Sequence, residues 1–147
     1  MVYQFKFSKI MSIKENEKER ILNEYNEAVE RFETVGQRLY DALKHKEQQI
    51  EEYNRKMMNG MSITELKQVQ AFLDRTERLI EGLQKEVISA RQYMQTKQFL
   101  LQEKNIEMKK YEKMKANDFH IYQEIQKSTE AKQMDEISLQ QYMLKEK

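Results

Sequence analysis

Leu66, Leu73, Ile80, Val87, Met94, Leu101 and Met108 stand seven residues apart without a break. A strict period of seven is the signature of α-helices that wrap around one another with a left-handed supercoil, because 3.5 residues per turn keeps one apolar stripe facing its partner. Taken as heptad position a, this series is joined at d by Val69, Leu83, Ala90 and Tyr111. Thr76, Lys97 and Lys104 also fall at d, where polar residues weaken a seam and help to set its register. The 147 residues include no Pro and three Gly, so little in the chain competes with helix. A mean hydropathy of −0.96 would suit a disordered chain, but periodic apolar residues point to a packed one.

One segment, Met57 to Leu66, reads as a break. Gly60 can take the left-handed conformation that ends a helix. Ser62 and Glu65 form a capping box for the next helix, and Met61 and Leu66 stand where a hydrophobic staple would. The first arm repeats the heptad, with Leu22, Val29, Gly36, Leu43, Ile50 and Met57 at a and Tyr25, Phe32, Leu39, Lys46 and Tyr53 at d. A short connection between two such arms makes them antiparallel neighbours.

The expected fold is all-α, a long antiparallel two-helix coiled-coil hairpin whose second helix overhangs the first. Its parts are a first helix over about 5–58, a turn at 59–62, a second helix over about 63–130 and a helical or frayed tail over 131–147. The g positions are apolar in both arms, at Ile21, Ala28, Val35 and Ala42 and at Phe72, Leu79, Tyr93, Leu100, Met114 and Ile121. In an antiparallel pair g faces g, which favours closure within one chain and a monomer in isolation. This register brings Gly36 near Ala90 in a close helix approach, Lys46 near Ile80 and Tyr25 near Leu101.

Charge and chemistry exclude several roles. The 26 Lys and Arg nearly balance 25 Asp and Glu, and both signs are interspersed, so no nucleic-acid partner is expected. No apolar run reaches the roughly 20 residues that span a bilayer, and Met1 to Ile10 lack a signal-peptide core, so a cytoplasmic place without membrane insertion is expected. The chain has no Cys, which rules out disulfides and thiolate chemistry, and its two His, His45 and His120, fall on different arms. Asn59-Gly60-Met61-Ser62 lacks the spaced glycines and Lys of a phosphate loop. Two helices enclose no pocket where acid and base could converge. No catalytic residue, cofactor or metal is therefore expected.

Apolar residues collect instead where a partner helix runs out. Phe119, Tyr122, Ile125, Met134, Ile137, Tyr142 and Met143 lie beyond the reach of the first arm, and Val2, Tyr3, Phe5 and Phe7 form a similar surplus at the start. Met58, Met61 and Met114 add adaptable contact surface.

Tyr3-Gln4-Phe5-Lys6-Phe7, Lys14 to Lys18, the turn Asn59-Gly60-Met61-Ser62, Gln70-Ala71-Phe72 and Lys132-Gln133-Met134-Asp135-Glu136-Ile137 occur together over the whole length. In this the chain resembles the flagellar type III export protein family FliJ in its Gram-positive, Bacillus-like form. The resemblance implies a non-enzymatic part of the export apparatus, similar in shape to the stalk of rotary ATPases. It would bind the ring of the flagellar export ATPase hexamer, the membrane export gate protein and export chaperones, and lie in the cytoplasm, peripheral to the membrane at the flagellar base. Phe72 matches the family's gate contact and Gln70 its flanking glutamine, whereas His45 and Gln49 stand where some members carry aromatics. By analogy with rotor stalks, Phe5, Phe7, Met11, Phe119, Tyr122 and Ile125 are the expected ring contacts. A secretion chaperone of the holdase type, or a prefoldin-like hairpin, is the alternative that the same apolar ends allow.

Overall fold

A computed structural model describes residues 3–146; Val2, counted above among the apolar residues of the start, lies outside them. The fold is two α-helices, α1 (Ser8–Asn59) and α2 (Ile63–Glu146), and no strand occurs among the described residues. The turn between them follows from its residues. Gly60 has φ of 91°, the positive value that an L side chain resists, and its N–H donates to the Met57 carbonyl at 3.3 Å. The Ser62 hydroxyl then accepts the Glu65 N–H at 3.2 Å, while the Ser62 carbonyl receives the Leu66 N–H at 3.0 Å and starts α2. Met61 and Leu66, the expected staple pair, are both half-buried.

The chain gathers into two compact units, one of Glu19–Gln102 and one of the residues up to Lys18 with those from Glu103 onward. In the first, α1 and α2 run antiparallel. Glu24 is bonded to Lys97 at 2.7 Å and Lys46 to Glu77, so the partner number falls as the chain advances. Ile21, Ala28 and Val35 of α1 and Thr76, Ile80, Leu83 and Ala90 of α2 are buried. Thr76 costs little there, because its hydroxyl donates to the Phe72 carbonyl at 3.0 Å.

This burial leaves the α2 frame as read and corrects that of α1. The column Ile21, Ala28, Val35, expected at the flank, is the core, whereas Leu22 and Leu43 of the expected a column are 37% and 41% exposed. The small side chains of Ala28 and Ala42 let α2 approach on that side, and Tyr25, Phe32 and Leu39 complete the seam. The α2 flank column is covered unevenly, with Phe72 and Leu100 half-buried and Leu79 and Tyr93 exposed. A Cβ built on Gly36 would meet nothing within 4 Å, so no close approach occurs there.

In the second unit the antiparallel register is one for one. Tyr3 pairs with Asp118, Lys14 with Glu107 and Glu17 with Lys104, each step along the first segment matched by an equal step back along α2. Phe5, Met11 and Met108 form its buried core, with Tyr3, Phe7 and Tyr111 packed around them. From Lys127 to Lys145 α2 continues with every residue exposed.

Candidate partner-binding surfaces

In the unit that holds both ends of the chain, the residues before α1 turn back along α2. The Ser8 N–H reaches the Phe5 carbonyl at 3.2 Å, a tight turn that carries Phe5 inward to the methionines. Tyr3 lies farther along, its ring edge-on to Phe119 at 5.0 Å and tilted against Tyr122 at 5.1 Å. Its O–H donates to Asp118 Oδ2 at 2.8 Å and approaches the Lys115 carbonyl at 3.5 Å. Loss of water around the ring, with the Asp118 carboxylate beside it, pushes the Tyr3 phenol up to about 12 from 10.0.

The six expected ring contacts are thus brought into one unit but serve different ends. Phe5 and Met11 are buried, Phe7 and Tyr122 half-buried, and Phe119 and Ile125 exposed, the last at 60%. Ile121, one turn before Ile125 on the same face, is 55% exposed and joins them as open apolar surface. Tyr3 as a clasp on Asp118 was missed because a non-helical segment has no periodicity to place it; its one signal is the alternation of aromatics at 3, 5 and 7.

Along the seam, Lys14 reaches Glu107 at 3.0 Å and Lys104 reaches Glu17 at 2.9 Å. Hydrogen bonds to the facing ammonium groups hold the Glu17, Glu24 and Glu107 carboxyls below their usual range, and the reciprocal bonds raise Lys14, Lys97 and Lys104.

The unit Glu19–Gln102 carries the other candidate surface. Phe72 is half-buried and meets His45 edge-on at 5.7 Å, with Gln70 exposed two residues before it. A shallow groove beside Phe72 is lined by Gln49, Tyr53, Lys56, Gln68 and Val69. Met58 is 90% exposed at the end of α1, and Met61 is half-buried. Gly60, Ser62 and Glu65 form the turn described above. His120 pairs with Glu124 at 3.2 Å within α2, and no group of three His, Asp or Glu among the described residues could hold a metal ion. Among the described residues, no helix is long and apolar enough to cross a membrane.

The family model described as the flagellar FliJ protein matches residues 3–147. The flagellar FliJ protein of Bacillus subtilis (strain 168) is 41% identical over 144 residues, covering 98% of each chain. No solved structure matches. On this evidence the chain belongs to the flagellar FliJ protein family, whose members are components of flagellar protein export.

Proposed function

We propose that the chain is a non-enzymatic, stalk-like coiled coil that binds the flagellar export ATPase ring, the export gate and export chaperones at the cytoplasmic side of the flagellar base. The observation that carries this reading is the open apolar surface of Phe119, Ile121 and Ile125 on a helix that continues without an internal partner, in a chain of this family. The unit with both chain ends supplies the ring contact. A helix turning inside a symmetric ring needs adaptable, weakly bonded side chains, which exposed Ile and Phe among Lys and Gln provide. Phe5 and Met11 support that end from within, since their side chains are already buried. In the other unit, Phe72 with His45 forms the gate contact, while Gln70 stands on the opposite flank of α2.

Adding the chain to purified export ATPase tests the reading: ring assembly and ATP turnover rise together. A chain that leaves turnover unchanged but binds late export substrates would instead be a holdase-type chaperone.

A further inference from the structure

α1 carries a third heptad column that the hairpin covers only in part, with Val29 and Gly36 half-buried and Leu22 and Leu43 37% and 41% exposed. Leu22, Val29, Gly36, Leu43, Ile50 and Met57 stand seven apart within the unit Glu19–Gln102, with Ile50 36% and Met57 52% exposed. The seam is occupied by the neighbouring column of Ile21, Ala28 and Val35, so these residues lie along one flank. The column reads alike in both directions from Gly36, with Val29 and Leu43 one heptad away and Leu22 and Ile50 two. On α2 the same flank carries Gln70, Glu77, Gln84, Arg91 and Gln98, placed there by the Lys46 contact to Glu77; Phe72 with His45 marks the opposite flank. This second column is symmetric about Gln84, and its equidistant members Glu77 and Arg91 have opposite charge. The Glu24–Lys97 and Lys46–Glu77 pairs put Gly36 and Gln84 at the same level to within about one turn.

We propose that two copies of the chain pair through this flank as an antiparallel four-helix bundle. A two-fold axis crossing both helices at Gly36 and Gln84 lays Leu43 on Val29 and Leu22 on Ile50 of the second copy, and sets Glu77 against Arg91. Gly36 meets its own copy on the axis, where a Cβ has nothing within 4 Å and the missing side chain lets the backbones approach. The expectation of a monomer rested on facing apolar g columns. Closure of one chain into a hairpin occupies the seam but leaves the partly exposed flank of α1 open to a second copy. The dimer stands independently of the export role.

The chain has no Cys, which gives a test with no background. Gly36→Cys forms a disulfide-linked dimer under mild oxidation at least about tenfold faster than Gly82→Cys, whose glycine is exposed on another face of α2. Light scattering of the unmodified chain gives twice 18.0 kDa at roughly tens of micromolar. Leu43→Glu and, separately, Arg91→Glu, which faces Glu77 with like charge, each raise the dissociation constant about tenfold or more while helicity is kept. A mass of 18.0 kDa at every concentration, equal linking rates for the two cysteines, or a dimer indifferent to both substitutions overturns the proposal.

Discussion

Gly60 bears the φ of 91° that lets the chain leave α1 and enter α2, and no other described residue has a positive φ. A β-branched side chain resists that conformation, so Gly60→Val costs about 1 kcal/mol or more. Thermal unfolding measures it, and an unchanged midpoint would refute the turn. Phe72 is the other residue on which a single atom group decides a role. Its ring is half-buried and meets only the edge of His45 among the described ring contacts, so Phe72→Ala is expected to leave helicity nearly intact and weaken binding to the export gate. Gate affinity and melting are measured side by side; a loss confined to melting would make Phe72 core. The capping serine, the turn glycine and the position of Phe72 beside the seam were all legible, because each depends on neighbours within a few residues. The clasp of Tyr3 on Asp118 was not, since it joins residues 115 apart through one hydroxyl.

At the scale of the helices, α2 was read in its true frame and α1 was not. α1 has apolar residues in three adjacent columns, and which two of them face α2 depends on a rotation that periodicity alone leaves free. The small residues Ala28 and Ala42 settle it by admitting close approach. Ile21→Ala is therefore expected to destabilise by about 2–4 kcal/mol and the adjacent Leu22→Ala by about 1 kcal/mol or less, as denaturant melts would record. Equal costs would restore the earlier frame. The ion pairs along the same helices predict a pH profile. The lowered Glu17, Glu24 and Glu107 contribute above their unfolded value of 4.5 and lose that contribution as pH falls. Raised Lys14, Lys97 and Lys104 contribute below 10.5 and Tyr3 below 10.0, each fading as pH climbs through its higher folded value, about 12 for Tyr3. Melting temperature should be flat between roughly pH 5 and 9 and fall on both sides. Tyr3→Phe should remove part of the alkaline fall, and an identical alkaline limb in that variant would show that the phenol bond to Asp118 contributes nothing.

For the whole molecule, family membership and the hairpin leave the assignment of surfaces to partners as the point on which the account stands or falls. The overhanging part of α2 was legible as apolar surface in need of a partner, but the sequence alone could not divide buried Phe5 and Met11 from exposed Ile121 and Ile125. That division dictates how the ring contact has to be probed. Cutting the chain after Asp118 would also remove Phe119 and Tyr122, on which Tyr3 packs, and so disturb the core around Met108. The exposed pair avoids this. Ile121→Gln with Ile125→Gln keeps the clasp and the core and removes only open apolar surface. The direct measurement is the rate of ATP hydrolysis by purified export ATPase, with ring formation followed in the same samples, in the presence of this variant and of the unmodified chain. The account predicts an unchanged melting temperature and loss of most of the stimulation in the variant; full stimulation by a folded Ile121→Gln, Ile125→Gln chain would contradict it.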